Sequence, residues 1–302
     1  MKKDLLSVYD LEKAAFDEIF ERARSLKKML RYGEPHTPLR GKTLGMIFEK
    51  SSTRTRLSFE VGMYHLGGMA IFLSISDIQL GRGETVADTA RVMSVYLDGI
   101  LLRTFSQELV DEFAGHATVP VINGLTDLLH PCQILSDLFT IIEKRESYEG
   151  PKIAYIGDGN NVANSWINAA AKLPFQLTLA CPAGYDPDET ILERGMKEGN
   201  VALYRNPSEA AKDADVVYTD VWASMGQEDE HEQRVEAFKD YQVNDALVSY
   251  AKDDVIVMHC LPAHRGEEIT DEVIDSPRSV VVEQAENRLH VQKAIMEMLM
   301  AS

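Results

Sequence analysis

Apolar residues recur at helical spacing from Leu11 through Ala15, Ile19, Ala23 and Leu26 to Leu30, then stop at the breaker-rich run YGEPHTP. That periodicity predicts an opening amphipathic helix. Short β-rich runs then alternate with helical ones. TLGMIF precedes a helix over Arg54 to Leu66, MAIFL and a loop precede Val86 to Tyr96, GILLR precedes Gln107 to Ala114, and VPVIN follows. This rhythm predicts a βαβ domain around a parallel sheet.

The stretch HPCQILSDLFTIIEKRESYEG reads as one long helix, after which the rhythm restarts. KIAYIG leads into Asn161 to Lys172, QLTLA into Pro187 to Glu198, VALY into Ser208 to Lys212, and DVVYTD into a polar acidic loop. VIVMH and SVVVE are expected as later strands, and Ala285 to Met300 as a final helix. The expected fold class is therefore α/β: two doubly wound parallel-sheet domains joined by interdomain helices. The linking helix, at about Gln133 to Glu149, carries the boundary.

Composition narrows the function. A chain of 302 residues, 45% of them hydrophobic, is long enough for two cores. A formal charge of -17 repels polyanions, so no nucleic-acid or membrane partner is expected, and an anionic ligand must be small and locally captured. Cys132, Cys181 and Cys260 are odd in number and have no metal spacing, which suits reduced thiols in a cytoplasmic protein. The start MKKDLLSVYDLEKAAFDEIF lacks the pattern of a secretory or transit peptide.

Within that frame, EKSSTRTRLSFE stands out. A strand hands over to a helix through Ser51, Ser52, Thr53, Arg54 and Thr55. The free N-H groups of the first turn, the hydroxyls and the Arg54 guanidinium would together cradle a phosphate-sized anion. An ordinary helix cap explains one hydroxyl, not four hydroxyls and two arginines. Arg56 lies about 200° around the helix from Arg54, so a supporting partner is expected for it.

Other stretches gain weight beside this one. Arg103 ends a buried-looking strand, where open parallel sheets keep their ligands. His130 precedes Pro131, with Gln133 three residues on; a neutral imidazole and a carboxamide suit a carbonyl and an amide of one small substrate. Asp220 sits at a strand's carboxyl edge and suits an ammonium group.

His259 and Cys260 are adjacent on an extended segment and point to opposite faces, so Cys260 reads as a thiol lining the site, not a nucleophile. IGDGNNVANS resembles a dinucleotide turn but lacks the third small residue and a ribose-binding acid. Asn161 is then free to bind a ligand. Arg288, near the expected start of the last helix, opposes the dipole there unless it has an anionic or carbonyl partner.

Taken together and in order, STRTR, HPCQ, SMG and HCLP resemble the aspartate/ornithine transcarbamoylase family, its ornithine branch in particular, from about Leu5 to the last helix. The resemblance implies a carbamoyl-phosphate-binding domain over residues 1–135, completed by a returning helix over 285–302. A facing ornithine-binding domain covers 136–284. It implies that Ser52, Thr53, Arg54 and Thr55 hold the phosphate, and that Arg103 and His130, with Thr55, polarise the carbamoyl carbonyl. Gln133, the Cys260–Leu261 backbone and Arg288 fix the carbamoyl group.

Gln79 would come from a neighbouring subunit of a homotrimer with shared sites, and the trimers can assemble further. Asn161, Asp220, Ser224 and Met225 match the ornithine-binding positions, with Asp220 and Cys260 orienting the amine. The implied reaction moves the carbamoyl group of carbamoyl phosphate to the δ-amine of L-ornithine, giving L-citrulline and phosphate for arginine biosynthesis. It needs no metal and no cofactor. The alternatives are a related amine (putrescine, N-acetyl- or N-succinylornithine) and, further off, an NAD-dependent dehydrogenase.

Overall fold

The computed structural model describes residues 4–80, 83–223 and 230–301. It divides into two compact units, one of residues 1–139 with 286–302 and one of residues 140–285. Each is built on a parallel sheet flanked by helices.

In the first unit the strands are β1 (Thr43–Phe48), β2 (Met69–Ser74), β3 (Gly99–Arg103) and β4 (Val121–Leu125), in the order β2-β1-β3-β4. The middle strands are apolar almost throughout because both faces are covered. On one face Ile47, Ile100 and Leu102 pack with Ala90, Val110 and Phe113. These last come from α3 (Val86–Tyr96) and α4 (Gln107–His116).

The opening helix, α1 (Lys13–Tyr32), buries Phe16, Ile19, Phe20, Ala23 and Leu26 at the spacing of one helical face. It ends where Gly33 turns left-handed at φ 68°. Arg22 bonds Glu297 and Lys27 Nζ bonds Asn287 Oδ1 at 2.7 Å, tying α1 to the last helix, α12 (Val281–Met300).

In the second unit β5 (Lys152–Ile156), β6 (Gln176–Ala180), β7 (Asn200–Tyr204), β8 (Val216–Thr219) and β9 (Ile256–His259) run in the order β7-β6-β5-β8-β9. Ala154, Ile156, Val217 and Val257 pack with Phe238, Val248 and Ile274. Trp166 and Tyr218 belong to an edge-packed aromatic cluster, with ring centroids 5.6 Å apart.

Strand order marks the switch point of each sheet. In an open parallel sheet the crevice lies outside the carboxyl ends of the two neighbouring strands from which the chain winds off in opposite directions. In the first unit those strands are β1 and β3, which deliver the residues after Phe48 and Arg103 itself. In the second they are β5 and β8, which deliver Gly157–Asn161 and Asp220.

One expected strand is absent. SVVVE makes a single bridge, Ser279 to Val257, and its valines pass into α12 from Val281. Val280 N bonds Val257 O at 3.0 Å, after which the helix takes over. The β preference of a short valine run is overridden by tertiary context. This moves the helix start four residues ahead of Ala285, so Arg288 lies past the first turn and the dipole conflict argued for it disappears.

Gly159 is required for close approach: a Cβ there would lie 2.2 Å from the backbone of Asp186 and Pro187. Gly159→Ala should therefore lower the urea unfolding free energy by about 3 kcal/mol, the upper range for overpacking a tight site.

Candidate active site

In the first unit a cluster grows from the end of β1. Glu49 N and Lys50 N bond Arg103 O at 2.8 and 3.5 Å, and Arg103 Nε returns a bond to Lys50 O at 3.2 Å. These bonds hold the segment after β1 against the end of β3. The Lys50 ammonium is committed to Asp127 and lies 4.3 Å from the centroid of the Phe105 ring.

Ser52 then caps α2 (Thr53–His65), its hydroxyl accepting from Thr55 N at 3.2 Å. One hydroxyl is thus the cap, while Thr53 is exposed and Arg54 half-buried in the first turn.

Thr55 is fully buried, and its Oγ1 accepts from two guanidinium groups, Arg288 Nη2 at 2.8 Å and Arg103 Nη1 at 3.5 Å. Arg56 turns away, as its place on the helix requires. It pairs with Glu60 at 2.9 Å and stacks 3.9 Å over the Phe72 ring.

His130 is buried at the end of the loop before α5 (Pro131–Arg145). Burial, then the charges of Arg288 and Arg103, push its pKa well below 6.5, so it is a neutral imidazole in a cationic field. Gln133 Nε2 donates to Asp137 Oδ1 at 2.8 Å, which turns the carboxamide oxygen the other way; that buried oxygen has no hydrogen bond among the described residues. Gln79 is exposed.

A second cluster lies in the other unit. Asp220, just past β8, accepts from Cys260 Sγ at 2.8 Å and Val221 N at 2.9 Å on Oδ1, and from Asn160 Nδ2 at 2.9 Å on Oδ2. Cys260 and His259 do not pair. His259 Nδ1 accepts from Leu261 N at 2.9 Å, which puts the ring proton on Nε2, facing Glu268 Oε1 at 2.9 Å. Leu261 takes a left-handed φ of 57°.

Asn161 is half-buried as the first residue of α6 (Asn161–Ala170), and Asn160 is its cap. Ser224 and Met225 lie outside the described residues. The structure thus brings together Thr55, Arg103 and Arg288 in one unit and Asp220 and Cys260 in the other.

Sequence reasoning passed over several residues that support these. Asp137 orients Gln133, and Asn160 orients Asp220. In α9 (His231–Phe238) the buried Arg234 bonds Asp158 Oδ2 at 3.0 Å and Trp222 O at 2.8 Å. Burial raises Asp158 to about 6 against the pull of Arg234. The Asn-Asn pair ahead of a helix was a readable cap signal. Asp158 and Arg234 stand 76 residues apart, and nothing local links them.

Comparison with known proteins gives this arrangement a class. Residues 3–143 match the model of the aspartate/ornithine carbamoyltransferase carbamoyl-P binding domain, and residues 149–299 match that of the Asp/Orn binding domain. The chain belongs to the aspartate/ornithine carbamoyltransferase family.

Within it, an ornithine carbamoyltransferase of Syntrophus aciditrophicus is 71% identical over 301 residues, covering 99% of this chain and 100% of its own. The solved ornithine carbamoyltransferase of Pyrococcus furiosus superposes with a TM-score of 0.95 at 53% identity, over 98% of this chain and 96% of its own. An anabolic ornithine carbamoyltransferase from Campylobacter jejuni gives 0.92 at 42% identity, over 99% of each chain.

The state of His130 has a measurable consequence. Its folded pKa lies below the unfolded value, so as pH falls below about 6.5 the unfolded chain takes up a proton that the folded chain refuses. Stability should fall with pH there, by up to about 1.4 kcal/mol per pH unit for this histidine. Urea unfolding of the wild type and His130→Gln at pH 7.5 and 5.5 should show a shallower pH dependence in the variant.

Proposed function

We propose that this chain transfers the carbamoyl group of carbamoyl phosphate to the δ-amine of L-ornithine, giving L-citrulline and phosphate. The observation that carries the first half of this reading is the convergence of Arg103 and Arg288 on Thr55 Oγ1, at the N-terminus of α2 and the switch point of its sheet.

Two fixed cations, the N-H groups of the first turn, and the Ser52, Thr53 and Arg54 side chains suit a phosphate dianion. The neutral His130 and Arg103 offer N-H donors to the carbamoyl oxygen. The free oxygen of Gln133 accepts from the carbamoyl amide, with the Cys260–Leu261 backbone as a further contact. Asp220 and Cys260, with Asn161, Ser224 and Met225, receive the amine.

The amine has a reference pKa near 10.4 by analogy with lysine, so it must lose a proton before it attacks. A bond forms from the δ-nitrogen to the carbamoyl carbon. The carbon–oxygen bond to phosphate then breaks, and phosphate leaves with that electron pair and accepts the second proton, the one the nitrogen sheds once it is bonded to carbon, the first having gone to solvent. Charge grows on the carbamoyl oxygen and on the departing phosphate, where the cationic donors stand; one such donor is commonly worth about 3 to 4 kcal/mol.

The finer readings have separate support. Homotrimers with shared sites are supported by exposed Leu57, Tyr64, Val92, Val95 and Tyr96 on α2 and α3, and by the exposure of Gln79, which would act in a neighbour's site. The anabolic relatives from Campylobacter jejuni and Pyrococcus furiosus favour a place in arginine synthesis. A cytoplasmic location accords with Cys132, Cys181 and Cys260 forming no disulfide.

The purified chain, given carbamoyl phosphate and ornithine, should form citrulline with saturation in both. Arg54→Ala should lower kcat at least about 100-fold, as for loss of one charge-stabilising donor, whereas Arg56→Ala should stay within a few fold. No citrulline from folded protein at millimolar substrates overturns the reading. A higher kcat/KM for putrescine or an acylated ornithine reassigns the amine.

A further inference from the structure

The carboxylate of Asp220 is held by a chain of groups that begins in the interior of its own sheet. Tyr155, on β5, is fully buried, and its hydroxyl donates to Asn160 Oδ1 at 3.1 Å. The same oxygen accepts from Val162 N at 2.9 Å and Ala163 N at 3.3 Å, the capping bonds of α6. The two backbone donors leave the amide a single orientation, because a flip would set its NH2 group against two N-H groups that can only donate. Burial keeps the Tyr155 phenol protonated, so it remains a donor. Asn160 Nδ2 must then face Asp220 Oδ2, at 2.9 Å.

We infer that Asn160, locked by Tyr155, is a positioning residue that fixes the Asp220 carboxylate for the substrate amine while leaving its charge intact. Among the described residues, each partner of that carboxylate (the Asn160 amide, the Cys260 thiol and Val221 N) is a neutral donor. Together they immobilise both oxygens without supplying a positive charge. A lysine or arginine at position 160 would lose the capping oxygen and would also satisfy the charge that draws an ammonium. The amide therefore does what a salt bridge could not: it orders the group and leaves its electrostatic attraction for the ligand. This inference rests on the reading that Asp220 receives the amine.

Asn160→Asp separates the two roles of the residue. The new carboxylate keeps an oxygen for Val162 N, Ala163 N and Tyr155 OH, so the helix cap survives. Its other oxygen replaces the donor and stands against Asp220 Oδ2. Two carboxylates at that distance share a proton, and one of their pKa values rises. Among the described residues the titratable groups around Asp220 are Cys260, His259, Tyr155 and Asp158, the last paired with Arg234; the substitution leaves each of these residues in place.

The test is steady-state kinetics on the full chain, with urea midpoints measured alongside. Asn160→Asp should raise the KM for ornithine tenfold or more and move the acid limb of kcat/KM for ornithine up by about one pH unit, as expected for coupled carboxylates. The KM for carbamoyl phosphate should stay within twofold. Tyr155→Phe, which only loosens the amide, should shift the ornithine KM in the same direction by a smaller factor, and it keeps the inference testable if Asn160→Asp misfolds.

Wild-type ornithine KM and pH profile in folded Asn160→Asp overturn the inference, as does an equal loss for both substrates with a lowered urea midpoint. Asp220→Asn is assayed beside them. An unchanged ornithine KM there sinks the placement of the amine itself. A raised one, with Asn160→Asp unaffected, sinks only the role of Asn160.

Discussion

The shared bond from Arg103 and Arg288 to the Thr55 hydroxyl is the constraint around which the first unit is arranged. Two like charges that converge on one hydroxyl repel each other, so the fold must hold these cations where they would not gather by themselves. β3 ends in Arg103, and parallel pairing sets Phe48 beside it in register, so the segment after β1 begins at the same level. α2 starts there and presents Thr55 in its first turn. α12 supplies Arg288, and the bonds from Arg22 and Lys27 of α1 anchor that helix. A site prepared at this cost suits a doubly charged anion, whose arrival turns the repulsion into attraction.

The second unit applies the same sheet rule to the opposite charge. Its switch point carries a carboxylate bound by neutral donors, where the first carries guanidinium groups around a neutral acceptor. A chain with a net charge of -17 would repel an anion at a distance, and the local clustering of Arg103 and Arg288 is what reverses this at one place. The field there is strong enough to help hold His130 neutral, which keeps that ring a donor and acceptor and adds no third cation.

Much of this was legible in the sequence, because it depends on local signals. Strands with both faces buried are continuous apolar runs, so β1, β3, β5 and β8 were readable, and with them the residues at their carboxyl ends. The separation of Arg54 from Arg56 followed from helix geometry alone. What was missed depends on contacts across long separations or on competition between preferences. SVVVE has the composition of a strand, yet its valines open a helix. Asn160 and Asn161 are the same residue type side by side, and only the backbone at the helix start decides which one caps α6 and reaches Asp220. Asp137 looks like any polar residue in a helix until the Gln133 side chain is seen to lie against it, and Arg234 meets Asp158 only through the fold.

The claim that one buried hydroxyl organises two cations for an anion is tested most directly by calorimetric titration of carbamoyl phosphate into the wild type and Thr55→Val. The substitution keeps the shape of the side chain and leaves both arginines in place. If the hydroxyl holds the guanidinium groups in register, the variant binds carbamoyl phosphate at least tenfold more weakly while its urea midpoint stays close to that of the wild type. Equal affinity in the two proteins would contradict the account.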